Sequence, residues 1–164
     1  LANLVIPNGT QATYIAQVNG REGRSGVQMF TQLGANVPLC CTAVGKCILA
    51  YLPEDERTQI LKEEDLQEYT PNTITSVQQL QDELAEVRCN GWAVDDEERE
   101  LGVRCVASPV WDGTAKVIAA VGISGPTGRL TPERLEGLGE TVLKTAKAIS
   151  RRLGYRGDFH QCAD

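Results

Sequence analysis

The stretch from residue 76 to residue 124 constrains the fold most, because a clearly marked helix is followed there by three strands. Ser76 with Gln79 three positions later forms a capping box, which is typical of a helix start. Apolar residues then recur along one helical stripe until Gly91, where the helix should end. We predict strands for three Val- and Ile-rich runs that are separated by acidic, Asp-Gly or Gly-containing breaks, namely 92–95, 103–111 and 117–124.

Before this stretch, the sequence predicts a hairpin and two short helices. The dipeptide Asn8-Gly9 lies between two apolar-rich runs and tolerates positive φ, which favours a tight turn between antiparallel strands. A further short strand is expected near residues 27–30. Thr42 can cap one helix, and Pro53 suits the first turn of a second helix because that position needs no backbone N–H.

After this stretch, Thr131 and Pro132 start a long helix whose apolar stripe runs to Gly154. Amphipathic helices and half-buried strands hide their apolar sides only against each other, so the chain is predicted to form one α+β domain over residues 1–155. Its sheet should be mostly antiparallel, with helices lying on it. The last segment, 156–164, has no such pattern and is predicted to be a frayed tail.

The formal charge of −6 argues against a nucleic-acid-binding surface, because affinity for DNA comes largely from Lys and Arg. The chain has no apolar run of about 20 residues, which is the length that a membrane-spanning helix needs. Its start also lacks the pattern of a signal peptide. We therefore expect a cytoplasmic protein with no membrane contact. Because the sequence opens directly in the strand-like run LANLVI, we also expect a domain cut from a longer protein.

Six cysteines are present, but none form a C-x-x-C pair, and their even number is only weak evidence for disulfides in a chain of this length. We expect most of them to be buried as small hydrophobic residues. A cysteine nucleophile needs a base, usually His, within hydrogen-bond reach. The only histidine is His160, in the segment predicted to be frayed, so a Cys-His hydrolase is disfavoured.

The acidic stretch VDDEERELGVRC begins at Val94 and places five carboxylates before Cys105. Successive side chains alternate direction along a strand, so we interpret the stretch as a solvated connection with one buried member rather than as a catalytic site. A metal site is the alternative, since Cys40, Asp95 and Cys105 are zinc-compatible ligands that converge if their strands are adjacent. No short-range ligand spacing supports it.

Several motifs occur in one order along nearly the whole chain. They are PLCCTAVGKCILAYLPEDE, YTPNTIT, VDDEERELGVRC, ASPVWD, VGISGPTGRLTPER and AISRRLGY. In this combination they resemble the effector-binding domain of the IclR family of bacterial transcriptional regulators. Because so many pieces match in register, the resemblance is highly specific.

The resemblance implies a GAF-like domain, which is a curved sheet flanked by helices that senses a small molecule. Family members join this domain to an N-terminal winged helix-turn-helix that binds DNA, a part absent from this sequence. The family resemblance also implies homodimers that assemble into tetramers, with DNA contacted only through the missing part. No cofactor and no enzymatic activity are implied.

Residue by residue, the resemblance places the effector contacts at the start of the helix after PL, in the acidic stretch and on the strand before SGP. These positions are Ala43, Val44, Asp95, Cys105, Gly122 and Ser124. Backbone N–H groups in the first turn of a helix favour an anion, so the implied effector is a small organic acid bound through its carboxylate. Asp95 should point into the pocket, and an Asp95→Ala change is expected to weaken ligand binding with little loss of fold.

Three positions depart from the family pattern. Family members often have His after PL, a Gly-Ala pair at the helix start and Ser at the position of Gly122, whereas this chain has Cys40, Ala43-Val44 and glycine. The lost hydroxyl and the added methyl groups favour a larger or partly apolar carboxylate, such as an aromatic or sugar-derived acid. Two other functions stay open, an enzyme that uses Asp95 or Cys105 and a purely structural oligomerisation module.

Overall fold

The computed structural model describes residues 1–20, 32–63 and 66–162, so the strand expected near residues 27–30 lies outside the described residues. The strands are β1 (Ala2–Asn8), β2 (Gln11–Val18), β3 (Asn36–Pro38), β4 (Ala93–Asp96), β5 (Val103–Trp111) and β6 (Val117–Pro126). The helices are α1 (Ala43–Ala50), α2 (Glu54–Glu63), α3 (Val77–Asn90) and α4 (Leu135–Arg152). A short 3-10 helix, Pro132–Arg134, precedes α4.

Within the described residues, six strands form one curled sheet in the order β3-β2-β1-β6-β5-β4, and every neighbouring pair is antiparallel. The predicted α+β class is therefore confirmed. The predicted hairpin is present as β1 and β2, and Gly9 in its turn has a φ of 61°, in the left-handed region that favours glycine. The edge strand β3 was not predicted, because its three residues are too few to show a pattern.

Helices cover both faces of this sheet. On the inner face, Val5 of β1, Ile48 of α1 and Leu84 of α3 belong to one buried core. On the opposite face, Ala146 of α4 packs with Val110 of β5. Each fully buried aliphatic side chain stabilises the fold by about 1.5–3 kcal/mol, so this packing fixes α1 between the sheet and α3.

The start of α1 lies very close to the segment before it, because position 45 is a glycine. A Cβ atom on Gly45 would lie 2.5 Å from the Cα of Leu39 and 2.6 Å from the carbonyl oxygen of Pro38. The Thr42 hydroxyl accepts the N–H of Gly45 at 3.0 Å and donates to the carbonyl of Pro38 at 2.7 Å, which confirms the predicted cap. The first turn of α1 is therefore held in a fixed place.

The ends of the other long helices agree with the sequence except at one point. The Ser76 hydroxyl accepts the N–H of Gln79 at 3.4 Å, and Gly91 ends α3 with a φ of 79°. The last helix begins as a 3-10 turn at Pro132 and becomes α-helical only from Leu135, which the apolar stripe did not reveal. None of the helices in the described ranges is long and apolar enough to cross a membrane.

The prediction that the segment after residue 155 is frayed is wrong for its described part. Phe159 is buried, and its ring lies 5.1 Å from that of Tyr155, which stacks on Trp111 at 5.0 Å. A disulfide joins Cys162 to Cys89 at the end of α3. The sequence did not predict this disulfide, since the two cysteines lie 73 residues apart.

Candidate functional site

A cavity of about 390 Å³ lies between the start of α1 and the inner face of the sheet. All six residues that the resemblance assigned to an effector site line this one cavity. They are Ala43, Val44, Asp95, Cys105, Gly122 and Ser124. The structure therefore brings the six positions together, and their role in binding an effector stays a prediction.

Strand register explains how residues far apart in sequence meet in this cavity. Asp95 of β4 pairs with Cys105 of β5, which pairs with Ser124 of β6, so the three residues form one row across the sheet. Gly122 lies two residues before Ser124 and shares its face, because side chains alternate along a strand. Gly122 in turn pairs with Asn3 of β1, which extends the polar wall by one strand.

Ala43 and Val44 bring the first turn of α1 to the cavity wall. The first N–H groups of a helix have no acceptor within the helix. The Thr42 hydroxyl accepts a hydrogen bond from the N–H of Gly45 rather than from the N–H groups of Ala43 and Val44. These donors and the positive end of the helix dipole favour a negatively charged group in the cavity.

Asp95 is buried, with 3% of its surface exposed. Its Oδ1 accepts the N–H of Glu98 at 2.8 Å and that of Arg99 at 3.4 Å. Burial, together with the charge of Glu98, raises the pKa of Asp95 to about 7, although these hydrogen bonds and the charge of Lys46 lower it. Near neutral pH this carboxyl group can therefore either donate or accept a hydrogen bond.

The interpretation of the acidic stretch as solvated with one buried member is only partly right, because Glu98 is buried as well. The Glu98 carboxylate lies 2.7 Å from the ammonium nitrogen of Lys46, which also pairs with Glu83 at 2.9 Å. Burial alone would lower the pKa of Lys46, but the charges of Glu98 and Glu83 raise it above its ordinary value. Asp96, in contrast, is exposed and pairs with Arg104 at 2.6 Å.

The surroundings of Cys105 do not favour nucleophilic chemistry. Burial and the charge of Asp95 raise the pKa of Cys105 to about 12, while a hydrogen bond with Ser124 lowers it. The thiol therefore stays protonated at neutral pH, whereas a nucleophile must be the thiolate. His160 lies at the end of α3, where its Nδ1 is 3.1 Å from the carbonyl oxygen of Cys89, and it does not line the cavity.

The structure separates one of the three residues that were considered as zinc ligands from the other two. Cys40 lines a second cavity of about 130 Å³ rather than the cavity shared by Asp95 and Cys105. Among the residues that the structure describes, no group of three or more His, Cys, Asp or Glu side chains is arranged to hold a metal ion.

The cavity also contains polar residues that the sequence reasoning missed, notably Asn3, Tyr14 and Arg99. Burial raises the pKa of Tyr14 well above its ordinary value. Arg99 adds a positive charge to the wall, and its guanidinium lies 4.1 Å from the centre of the Tyr69 ring. Asn3 lies on the buried face of β1, two residues before Val5, but the sequence alone did not show which face of this strand turns inward.

Comparison with known proteins agrees with this fold. The family model for the C-terminal part of the bacterial transcriptional regulator IclR matches residues 1–151. The HTH-type transcriptional repressor AllR of Klebsiella pneumoniae is 41% identical over 154 residues, which cover 94% of this chain and 56% of AllR. The chain thus spans about half the length of the curated relatives that it matches.

Two solved structures show the same architecture. The crystal structure of IclR from Thermotoga maritima is 40% identical with a TM-score of 0.87, over 94% of this chain and 61% of that one. The C-terminal domain of the Escherichia coli transcriptional regulator KdgR is 35% identical with a TM-score of 0.80, over 94% of this chain and 87% of that one. The expected GAF-like arrangement is confirmed, and the chain belongs to the IclR family of bacterial transcriptional regulators, of which it is the C-terminal, effector-binding domain.

Proposed function

We propose that this domain senses a small carboxylate-bearing metabolite and thereby controls DNA binding by a winged helix-turn-helix in another part of the protein. The regulator acts in the cytoplasm, where bacterial DNA lies, and reaches DNA only through that other part. The observation that carries the proposal is the convergence of six separately assigned residues on one cavity next to a helix start. A cavity of about 390 Å³ lies within the range of small-molecule sites.

The carboxylate of the effector binds at the first turn of α1, through the backbone N–H groups of Ala43 and Val44. Charge-assisted hydrogen bonds of this kind are about twice as strong as neutral ones. The carboxyl group of Asp95 is compatible with a bound anion, because its pKa of about 7 allows it to be protonated when the anion arrives. Arg99 adds a favourable charge at the same cavity.

The effector is larger or more apolar than a two- or three-carbon keto acid. Gly122 brings no hydroxyl to the wall, and the side chains of Ala43 and Val44 add apolar surface at the helix start. Aromatic and sugar-derived acids fit these properties, since they fill apolar volume and present one carboxylate.

The direct test is a titration of the domain with a panel of such acids, each paired with its uncharged primary amide. An acid present at a hundred times its dissociation constant should stabilise the folded state by about 2.7 kcal/mol, which a thermal-shift measurement detects easily. Phenylacetate with phenylacetamide and gluconate with gluconamide are suitable pairs. Binding of the amides but not of the acids would contradict the proposal.

Control of DNA binding requires that the effector contact two states of the intact protein differently. Homodimers or tetramers formed by this domain would relay that difference, and light scattering measures their size. DNA binding by the full-length protein should change when the effector is added. An Asp95→Ala variant, in which effector binding is weakened, should bind DNA with a correspondingly weaker response to the effector.

The second candidate function is that of an enzyme, which would convert the bound acid into a product. The raised pKa of the Cys105 thiol and the position of His160 outside the cavity disfavour covalent catalysis. We therefore propose that the domain is not an enzyme. Chemically unchanged acid, recovered by mass spectrometry after long incubation with the domain, is the expected result.

A further inference from the structure

The side chain of Asn3 closes the cavity wall above Gly122. Asn3 and Gly122 are direct partners in the β1–β6 pair, and both line the cavity. A Cβ atom on Gly122 would lie 3.1 Å from Oδ1 of Asn3 and 3.0 Å from the carbonyl oxygen of Val106. Because Gly122 has no side chain, the carboxamide of Asn3 can occupy the space above it.

Only one half of this carboxamide has a partner. Its Nδ2 donates to the hydroxyl oxygen of Ser124 at 3.0 Å, whereas its buried Oδ1 has no hydrogen-bond partner within the described ranges. Asn3 as a whole is 4% exposed. Buried polar groups are almost always hydrogen-bonded, and leaving an acceptor unpaired costs about 1–3 kcal/mol. This wall of the cavity thus has an acceptor without a hydrogen-bond partner among the described residues.

The hydroxyl group of Ser124 supports this orientation of the carboxamide. Ser124 is also the strand partner of Cys105 in the β5–β6 pair. The Nδ2 group of Asn3 is held by its hydrogen bond to Ser124, and the acceptor Oδ1 of Asn3 takes no part in that contact.

We propose that Asn3 selects effectors that carry a hydroxyl or N–H group in addition to the carboxylate. This inference rests on the proposed function, since it assigns the second recognition point of the same cavity. The carboxylate binds the first turn of α1, and the donor group of the effector binds Oδ1 of Asn3 on the sheet. The preferred ligands are therefore hydroxy- or amino-substituted acids rather than plain hydrocarbon acids.

Such a site discriminates strongly, because a ligand without the donor leaves the acceptor unpaired. Gly122 has no hydroxyl group to offer a ligand, and the carboxamide of Asn3 on β1 supplies a polar group at the same place. The role of Asn3 also refines the class of ligand. The effector can be partly apolar, but it must present one hydrogen-bond donor near the sheet.

Calorimetric titration with matched acids tests the inference. Suitable pairs are phenylacetate with 4-hydroxyphenylacetate or mandelate, and butyrate with 3-hydroxybutyrate. We expect at least one hydroxylated acid to bind about tenfold or more tightly than its plain partner. In an Asn3→Leu variant, which keeps a similar volume but has no acceptor, this preference should shrink to less than about twofold.

Three results would overturn the inference in different ways. Equal affinity of plain and hydroxylated acids for the unaltered domain would exclude a donor-binding role for Asn3, and this comparison needs no folded variant. A preference that survives in Asn3→Leu would assign the donor contact to another residue. Failure of every acid to bind, hydroxylated or plain, would contradict the proposed function itself.

Discussion

The backbone N–H of Glu98 lies 2.8 Å from Oδ1 of Asp95. The first carboxylate of the acidic stretch therefore holds the turn that follows it, in addition to lining the cavity. This second role changes what a substitution at Asp95 should do. The sequence alone suggested that Asp95→Ala weakens binding with little loss of fold, whereas the structure indicates a loss of stability as well.

We expect Asp95→Ala to lower the free energy of unfolding by about 1–3 kcal/mol, because the buried N–H of Glu98 loses its acceptor. Asp95→Asn keeps an oxygen at the same place and should lower it by less. Urea denaturation of the two variants measures the difference. Equal stability of Asp95→Ala and the unaltered domain would show that the turn does not depend on this hydrogen bond.

The stability of the domain should fall as the pH rises from about 4 to about 7. Burial raises the pKa of Asp95 from 3.8 to about 7 in the folded state, so the folded chain binds a proton that the unfolded chain has already released. This single group can change the free energy of unfolding by up to about 1.4 kcal/mol per pH unit in that window. Above about pH 8 its contribution is constant.

Asp95→Asn removes this titrating group, so the pH dependence of its unfolding free energy should be flatter between pH 4 and 7. Some dependence should remain, because burial also raises the pKa of Glu98. Lys46 titrates outside the window, since its pKa is raised from 10.5. Identical pH profiles for the variant and the unaltered domain would mean that Asp95 has an ordinary pKa.

Lys46 should be one of the most sensitive positions in the fold. Its ammonium group is fully buried and pairs with Glu98 at 2.7 Å and Glu83 at 2.9 Å. Lys46→Met leaves Glu98 buried without its partner, which should cost about 3–5 kcal/mol. The double variant Lys46→Met, Glu98→Met should be more stable than Lys46→Met alone. A double variant that is less stable than either single one would show that the pair is not coupled in this way.

The sequence predicted those elements whose signals are local. The turn at Gly9, the cap at Ser76 and the stop at Gly91 each depend on a conformational preference of one residue, and each is present. The strands that carry Asp95, Cys105 and Ser124 were also placed correctly. Their alignment into one row across the sheet explains why residues assigned by motif resemblance meet in one cavity.

Features that depend on distant partners could not be read from the sequence. Glu98 looked like a surface carboxylate because Lys46, which neutralises it, lies 52 residues earlier. Asn3 gained its place in the cavity only through pairing of β1 with β6. Phe159 and Cys162 lacked periodicity because they lie in a segment without regular secondary structure that packs on other elements.

The disulfide between Cys89 and Cys162 should stabilise the domain in the absence of reductant. It closes a loop with a sequence separation of 73 residues, for which the chain-entropy model gives up to about 4 kcal/mol. Cys162→Ser should therefore unfold at lower urea concentration than the unaltered domain, and a reductant should shift only the latter. Titration of all six thiols in the unreduced protein would contradict the presence of this bond.

The central claim is that an effector carboxylate binds the first-turn amides of α1. Ala43→Pro tests it, because proline at the first helical position removes one N–H without breaking the helix. The extended Thr42 before it, with φ −123° and ψ 147°, is compatible with a following proline. Ala43→Val adds similar bulk and keeps the N–H, so it serves as the control.

The deciding measurement is calorimetric titration of these two variants with the acid that binds the unaltered domain most tightly. We predict that Ala43→Pro binds it at least about tenfold more weakly than Ala43→Val, as the loss of a hydrogen bond to a charged group requires. Equal affinity of the two variants would place the carboxylate elsewhere in the cavity and contradict the account.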